Sequence, residues 1–231
     1  MKHIVILTGA GISAESGIQT FRDSDGLWEG HNVQDVASPE GFERNPKMVL
    51  DFYNLRRHSA LNAEPNAAHK IITSLQAYFK VTVITQNIDD LHERAGNTNI
   101  VHLHGEITKC RSTKNELKTY AYNKDLALGD VAPDGGQLRP FIVWFGEQVP
   151  MMETAARIAT TADIFMVVGT SLQVYPAASL INFASARSSK FIVDKKIPKD
   201  DALKNFTVIE EPATTGMQKA KEIIMKKYIK P

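Results

Sequence analysis

The sequence contains little cysteine, little net charge and no long apolar run. Cys110 is the only cysteine among 231 residues, so an internal disulfide is excluded and a reducing compartment is expected. The formal net charge of +1 gives no reason to expect a nucleic acid or an anionic membrane as a partner. No apolar stretch approaches the roughly 20 residues of a membrane-spanning helix, and no signal peptide precedes the first predicted strand. These features predict a cytoplasmic protein.

Hydrophobic and charged residues make up 43% and 23% of the chain, as in a soluble globular protein. Apolar, β-branched runs alternate with helical patterns, which predicts an α/β fold with a mostly parallel sheet. The predicted strands of this sheet cover residues 3–7, 81–85, 100–105, 164–168, 190–193 and 206–209, and we expect the chain to rejoin the sheet at 138–147.

A glycine-rich turn follows the first predicted strand. Gly9, Gly11 and Ala14 occupy the three positions of a G-x-G-x-x-G/A fingerprint, in which backbone N–H groups approach the pyrophosphate of a dinucleotide. One such turn is weak evidence, because an ordinary turn without a ligand has the same pattern.

The next segment, 21–30, is polar and aperiodic, so it predicts a loop where a hydride-transfer enzyme continues as a helix. Its Phe21, Arg22 and Trp28 could close over a bound dinucleotide. A plain surface loop is the alternative, although the two aromatic side chains are costly to leave in water. No acidic residue ends a second predicted strand at the position that contacts the ribose in dehydrogenases, so hydride transfer is disfavoured.

Five ordered blocks resemble the motifs of the sirtuins, the NAD-dependent protein-lysine deacylases. They are GAGISAESGIQTFR at 9–22, TQNIDDLH at 85–92, HG at 104–105, FGE at 145–147 and GTS at 169–171. Because the blocks span nearly the whole chain in order, they are far more specific than one glycine turn.

We therefore expect a Rossmann-like, doubly wound α/β fold, with helices on both faces of the sheet and a small second lobe. The Rossmann-like domain would comprise residues 1–28, 66–105 and 138–231. Two insertions, roughly 29–65 and 106–137, would form the small lobe.

The resemblance implies NAD as co-substrate. Asn87 and Asp89 would hold the nicotinamide, and Gln86 would contact its ribose. Asp89 could equally be a helix N-cap, and both roles can coexist. Asp194 stands where relatives have asparagine for the adenine ribose, and the backbone of Ala213 would contact adenine. The NAD-binding residues implied in full are Gly9, Ala10, Gly11, Ser13, Ala14, Glu15, Thr20, Phe21, Arg22, Trp28, Gln86, Asn87, Ile88, Asp89, His104, Gly169, Thr170, Ser171, Asp194 and Ala213.

Two histidines, His102 and His104, share a face of one predicted strand. Spacing alone does not distinguish them, and a half-buried structural pair is the alternative to a catalytic one. A metal pair is disfavoured because no third ligand lies at a familiar spacing. The catalytic base of the family is the histidine directly before glycine, which implies His104. An imidazole of near-neutral pKa can take a proton from a ribose hydroxyl at pH 7.

A helix predicted over residues 46–61 carries Tyr53 and Arg56 on a common side. For an arbitrary helix, a solvated arginine beside a half-buried tyrosine would explain the pair. The pair is similar to the Tyr-x-x-Arg motif of desuccinylase-type sirtuins, where a guanidinium and a phenol bind the carboxylate of the acyl group. The resemblance therefore implies succinyl- or malonyl-lysine as substrate. Arg57 projects about 100° away on this helix.

The resemblance also places a substrate peptide between two loops. Val143, Phe145, Gly146 and Glu147 would lie on one side of it, and Val174 on the other. Two exposed backbone edges would bind an extended peptide by strand addition, which tolerates many sequences. Acyl-lysine proteins or peptides are thus the implied partners, and the protein is expected to be a monomer.

The segment 106–138 departs from most sirtuins, which carry four zinc-binding cysteines there. This chain has only Cys110 in the segment and no histidine after His104, whereas a structural zinc site needs four nitrogen or sulfur ligands. We therefore predict no zinc. The segment would instead cohere through apolar and aromatic side chains, namely Leu117, Tyr120, Tyr122, Leu126, Leu128 and Val131.

The resemblance implies a reaction that consumes NAD. The acyl oxygen of the modified lysine attacks C1′ of the nicotinamide ribose, and nicotinamide leaves. His104 then deprotonates a ribose hydroxyl that attacks the imidate carbon, and water releases lysine and 2′-O-acyl-ADP-ribose. Three alternatives stay open: a sirtuin that prefers plain acetyl or long acyl groups, an ADP-ribosyltransferase, and an NAD-binding sensor without turnover.

Overall fold

The structure, a computed structural model, describes residues 1–20, 27–28 and 30–229. Phe21 and Arg22, both predicted to bind NAD, lie outside the described residues. The strands in chain order are β1 (His3–Thr8), β2 (Leu27–Trp28), β3 (His31–Asn32), β4 (Lys80–Thr85), β5 (Ile100–His102), β6 (Gly105–Ser112), β7 (Thr119–Ala121), β8 (Leu138–Ile142), β9 (Ile164–Val168), β10 (Ser189–Val193) and β11 (Phe206–Ile209). The α-helices are α1 (Val33–Val36), α2 (Pro39–Arg44), α3 (Pro46–Asn62), α4 (Ala67–Leu75), α5 (Leu91–Arg94), α6 (Met152–Thr160) and α7 (Ala213–Tyr228).

Six strands form one parallel sheet in the order β11-β10-β9-β1-β4-β5. Successive residues of a strand face opposite sides of its sheet. Ile4 and Ile6 accordingly pack with α4 and α7 on one face. Val5 and Leu7 pack with α6 and the 3-10 helix Ala177–Asn182 on the other. The predicted Rossmann-like, doubly wound fold is confirmed.

The strand order reverses between β1 and β9. From this point β1, β4 and β5 follow one another to one side of the sheet, and β9, β10 and β11 follow to the other. The loops after the two central strands therefore separate and leave a crevice at the carboxyl ends of the strands, where open α/β sheets bind their ligands. The loops that begin at Gly9 and Gly169 lie at this crevice.

A second, antiparallel sheet has the order β7-β6-β8. Residues 138–142 were predicted to rejoin the parallel sheet, and this prediction is wrong, because they pair with β6 as β8. The predicted strand 100–105 is broken after His102, since Gly105 adopts a φ of +85° and starts β6 in a new direction. The segment after Pro176 forms the 3-10 helix Ala177–Asn182.

A small apolar cluster joins α3 to the segment from β6 to β8. Its buried members are Leu50, Cys110, Leu126, Ala132 and Leu138, and Tyr120 and Tyr122 pack against it. The prediction that Leu117, Leu128 and Val131 also pack here is wrong, since all three side chains are exposed. Apolar side chains are common on protein surfaces, so residue type alone did not decide their burial.

Hydrogen bonds supply the remaining connections of this region. Asn54 of α3 donates to the Leu126 carbonyl and accepts from the Leu126 N–H, both at 2.9 Å. Asp130 accepts from the Tyr122 hydroxyl at 3.0 Å and from the Ala127 N–H at 2.9 Å. Among the described residues, no group of three or more histidine, cysteine, aspartate or glutamate side chains could hold a metal ion. No helix in the described part of the chain is long and apolar enough to cross a membrane.

Candidate active site

Two glycine-containing loops interlock at the carboxyl ends of β1 and β9. The Gly9 N–H donates to the Val168 carbonyl at 3.1 Å, and the Gly11 N–H donates to the Gly169 carbonyl at 2.8 Å. A Cβ on Gly11 would lie 2.8 Å from Cα of Gly169, and a Cβ on Gly169, whose φ is +64°, would lie 2.3 Å from N of Ile12. The close contact between the loops therefore requires residues without a side chain at these positions. The absence of a side chain also lets a pyrophosphate approach the backbone closely.

A buried hydrogen-bond network connects the first loop to the segment after β4. Asn87 Nδ2 donates to Ser13 Oγ at 3.1 Å, and this hydroxyl donates to Asp89 Oδ2 at 3.1 Å. Asp89 Oδ1 accepts from the Leu91 N–H at the start of α5, so the carboxyl group also supports this helix. Burial raises the pKa of Asp89. Donor and acceptor groups that could pair with a carboxamide thus lie together.

His104 has one ring nitrogen engaged beside the segment after β4. Its Nδ1 lies 3.1 Å from the Gln86 carbonyl, so Nδ1 carries the proton and Nε2 presents a lone pair. Burial lowers the pKa of His104, which keeps the imidazole neutral at pH 7. Gln86 also donates from Nε2 to Thr170 Oγ1 at 3.2 Å, and so connects the histidine to the second glycine loop. This arrangement suits a general base.

Further predicted NAD-binding residues lie along the same edge of the sheet. Asp194 follows β10, is buried, and accepts from the Lys196 N–H at 3.0 Å. Glu15 accepts from the side chain and the backbone N–H of Thr214, at 2.8 and 3.2 Å, in the first turn of α7. The buried Ala213 starts this helix. Four further residues lie in or next to the two loops, namely Ala10, Ala14, Thr20 and Ser171.

Aromatic side chains pack around α3. Tyr53 is fully buried, and its hydroxyl accepts a hydrogen bond from Trp144 Nε1 at 3.0 Å. The guanidinium carbon of Arg56 lies 4.3 Å from the centroid of the Trp28 ring, and Arg56 is 9% exposed. Burial raises the pKa of Tyr53, so the phenol stays protonated. Ile88, predicted to contact NAD, packs against the same cluster.

The loop after β8 is anchored to His104 and to two buried arginines. The Val143 N–H donates to the His104 carbonyl at 2.9 Å. Glu147 accepts from Arg139 at 2.8 and 3.0 Å and from Arg111 at 3.0 Å. Because these arginines occupy its carboxylate, Glu147 would contact a peptide through its backbone.

Each of the two loops predicted to bind a peptide contains a residue in the left-handed region of backbone conformation. Phe145 is exposed and Gly146 has a φ of +92° in the first loop. Val174 is half-buried in the second loop, where Leu172 adopts a φ of +56°. A left-handed leucine is strained, and such strain concentrates at ligand-binding segments. The peptide contacts themselves stay a prediction.

The sequence profile described as the Sir2 family matches residues 9–176. The chain belongs to this family. An NAD-dependent protein deacylase of Helicobacter pylori is 52% identical over 218 residues, which cover 94% of this chain and 95% of the relative. A protein of the same name from Bacteroides thetaiotaomicron is 48% identical, with 97% and 99% covered. The solved structure of a mutant Sir2 homologue in complex with ADP-ribose is 34% identical, with a TM-score of 0.89. The match covers 100% of this chain and 95% of the homologue.

The structure distinguishes the two neighbouring histidines of this sirtuin. His102 bonds the Asn87 carbonyl through Nδ1 at 3.1 Å and Glu93 through Nε2 at 2.7 Å. Burial opposes the charged form, but the hydrogen bond and the negative charge of Glu93 prevail and raise the pKa of His102. Both nitrogens of His102 are thus committed to structural contacts, whereas His104 keeps a lone pair.

Three buried residues around Tyr53 and Glu147 of this sirtuin were not predicted from the sequence. Trp144 bonds Tyr53, and the Arg139 guanidinium lies 3.5 Å from the centroid of the Trp144 ring. Arg111 and Arg139 both bond Glu147. One signal was available, because Arg139 lies between apolar residues of a strand and a buried arginine needs an acidic partner.

Proposed function

We propose that this sirtuin removes succinyl and malonyl groups from protein lysine side chains. As a member of the Sir2 family with curated relatives named NAD-dependent protein deacylases, the chain is an NAD-dependent protein deacylase. NAD is its co-substrate, and acylated lysine is its substrate class. The acidic acyl preference is the part of the proposal that depends on this chain's own pocket residues.

The placement of Arg56 beside Tyr53 is the observation that carries the acidic preference. Both side chains are at most 9% exposed and lie among the aromatic rings of Trp28 and Phe52. A carboxylate interacts more strongly with a guanidinium in such surroundings than in water. The planar guanidinium can donate two parallel hydrogen bonds to it, and the neutral phenol can donate a third. An acetyl group offers no such acceptor.

A short series of contacts joins this pocket to the base. The Tyr53 hydroxyl bonds Trp144, and the adjacent Val143 bonds the His104 carbonyl. The acyl pocket and the imidazole are therefore held by neighbouring residues of one loop. This supports a substrate whose acyl group reaches toward Arg56 while its carbonyl lies near the nicotinamide ribose.

These positions support the mechanism that the sirtuin resemblance implies. The pyrophosphate of NAD would lie against the backbone of Gly9 and Gly11. The carboxamide of its nicotinamide ring would lie near Asn87 and Asp89. The acyl oxygen attacks C1′ of the nicotinamide ribose, and nicotinamide leaves with the bonding electron pair. Neutral His104 takes the proton of the ribose hydroxyl that attacks the imidate carbon, and water releases lysine and 2′-O-acyl-ADP-ribose. Positioning and electrostatics carry the catalysis.

Mass spectrometry of succinyl-, malonyl- and acetyl-lysine peptides, incubated with and without NAD, tests the proposal. We expect NAD-dependent loss of the acyl group and the highest kcat/KM for the two acidic groups. Peptide that keeps its acyl group while the protein acquires ADP-ribose would indicate a transferase. Absence of nicotinamide release would indicate a sensor, and either result would overturn the proposal.

Arg56→Met tests the acidic preference directly. We expect kcat/KM on succinyl-lysine to fall about 10- to 100-fold, because hydrogen bonds to a charged group contribute about 1.5–3 kcal/mol, with a smaller change on acetyl-lysine. Arg44→Met is the matched control, since Arg44 forms an exposed ion pair with Asp35 and should alter neither rate. If Arg56→Met retains full succinyl turnover, the carboxylate assignment is wrong.

A further inference from the structure

We propose that Trp144 is a specificity-determining residue, because its indole N–H sets the direction in which the Tyr53 hydroxyl donates its proton. The inference rests on the proposed acidic acyl preference and adds a residue to that same pocket. Its starting observation is the hydrogen bond from Trp144 Nε1 to the Tyr53 oxygen, 3.0 Å long.

The direction of this hydrogen bond is fixed by chemistry. An indole nitrogen only donates, whereas a phenol both accepts and donates. The Tyr53 oxygen therefore accepts from Trp144, and the phenol proton has to point to another acceptor. Arg56, three residues along α3, has no acceptor atom. The proton of Tyr53 is thus available to an oxygen that the substrate brings, as the carboxylate of a succinyl or malonyl group does.

Burial makes this orientation effective. Tyr53 is fully buried and Trp144 is 2% exposed, so bulk water does not compete for either group. In such surroundings a hydrogen bond is stronger than in water, and a misdirected polar group is more costly. A phenol that has lost its indole donor can rotate its proton away from the acyl group.

Trp144 is itself held by three contacts that need no substrate. The Arg139 guanidinium lies 3.5 Å from the centroid of its ring, and the ring of Phe42 lies 5.3 Å away. The backbone N–H of Trp144 donates to Glu147 Oε2 at 2.8 Å, and Glu147 is bound by Arg139 and Arg111. The donor is therefore in position before the acyl group arrives, which limits the entropy lost on binding.

Trp144→Phe removes the N–H and keeps an aromatic ring. We expect the ratio of kcat/KM for succinyl-lysine over acetyl-lysine peptides to fall about fivefold, the effect of one neutral hydrogen bond. The loss should appear mainly in KM for the succinyl peptide. In a Tyr53→Phe background, Trp144→Phe should not lower the ratio further, because the hydroxyl that it orients is gone.

Phe42→Leu is the control for a purely structural role of the cluster. Phe42 packs against the Trp144 ring without a hydrogen bond to it, so this variant should change both peptides alike and leave their ratio intact. An unchanged ratio in Trp144→Phe, or an equal fall in Phe42→Leu, would overturn the inference.

A measurement on chains that keep Trp144 covers the case in which Trp144→Phe fails to fold. The chain has two tryptophans, so nitrogen-15 labelling gives two indole N–H signals, of Trp28 and Trp144. Tyr53→Phe should move one of them strongly, and a succinyl-lysine peptide should move that same signal more than an acetyl-lysine peptide does. Equal shifts with both peptides would overturn the inference.

The two proposals fail in different ways. If wild-type protein shows no preference for succinyl-lysine, the proposed function falls and this inference falls with it. If the preference is present and Arg56→Met abolishes it, but Trp144→Phe leaves it intact, only the role of Trp144 is wrong.

Discussion

At the scale of single residues, the partners of a side chain decide its chemistry. His102 and His104 are two positions apart, yet Glu93 raises the pKa of the first, while burial lowers the pKa of the second. Tyr53 and Arg57 lie on the same helix and are both buried. Tyr53 hydrogen-bonds Trp144, whereas Arg57 donates to the Ile107 carbonyl and so connects α3 to β6.

The lowered pKa of His104 predicts an acid limit for turnover. Burial lowers this pKa from the ordinary 6.5, so the imidazole is neutral at pH 7 and can accept a proton. The kcat/KM for a succinyl-lysine peptide should be level above pH 6.5 and fall as the pH drops through the lowered pKa. His104→Ala should reduce kcat about 100- to 10,000-fold without loss of thermal stability. An acid limb centred above the ordinary histidine pKa would contradict the assignment.

A second pair of histidines predicts how the stability of the fold depends on pH. His69 and His92 are buried with ring centroids 4.9 Å apart, and Nε2 of His69 and Nδ1 of His92 have no hydrogen-bond partner among the described residues. Burial lowers the pKa of His69 from 6.5 to about 4, and burial with the charge of His69 lowers that of His92. The folded state therefore holds both rings neutral.

Because folding lowers both pKa values, these histidines do not reduce the free energy of unfolding above pH 6.5. The free energy of unfolding decreases as the pH falls toward 4. For His69 a fall from 6.5 to about 4 corresponds to about 3 kcal/mol. The urea midpoint should thus drop more steeply with acidification in the wild type than in His69→Gln. His58→Gln, at an exposed histidine, is the control and should keep the steep drop. Parallel profiles of wild type and His69→Gln would contradict this account.

At the scale of secondary structure, the connection between β5 and β6 requires glycine. Gly105 has a φ of +85°, and a Cβ there would lie 2.0 Å from the Phe141 carbonyl oxygen of β8. Gly105→Ala should cost about 3 kcal/mol or more, since backbone strain and the steric clash act together. Gly17, with a φ of +88° and no atom of the described residues within 4 Å of its Cβ position, is the matched control.

Gly17→Ala should cost only the left-handed strain, about 1–2 kcal/mol. Denaturant midpoints of the two variants, compared with wild type, separate the clash from the strain. Because Gly105 follows His104 directly, its replacement should also reduce turnover. Equal losses of stability in both variants would show that β8 moves aside at little cost.

At the scale of the whole molecule, the region between β6 and β8 is attached to α3 by direct contacts. The side chain of Asn54 hydrogen-bonds both the carbonyl and the N–H of Leu126. Leu50 belongs to the same apolar cluster as Leu126 and Cys110. We expect these contacts, and not a metal ion, to stabilise the region. We expect dialysis against a chelator to change neither the melting temperature nor the deacylation rate. Stoichiometric zinc in elemental analysis, or a melting temperature lowered by the chelator, would contradict the prediction of a zinc-free lobe.

The central strands and the long helix could be predicted within one or two residues. β9 and β11 match their predicted ranges, and α3 ends one residue after its predicted end. Buried parallel strands are short apolar runs, and a proline at the first helical position marks the start of α3. The predictions for 138–142 and for three leucine and valine side chains failed, because pairing and burial there depend on residues distant in sequence.

The sequence by itself determined the family, the doubly wound sheet and the positions of the glycine turns, because these depend on local composition and on contiguous motifs. Only the tertiary structure decided which histidine keeps a free lone pair, why Gly11 and Gly169 exclude side chains, and which indole donates to Tyr53. Each of these depends on a partner far away in the chain: Glu93 and Gln86 for the histidines, the facing loop for the glycines, and Trp144 for the phenol. Hydrogen-bond direction and close packing arise between elements, so they become visible only when the elements are assembled.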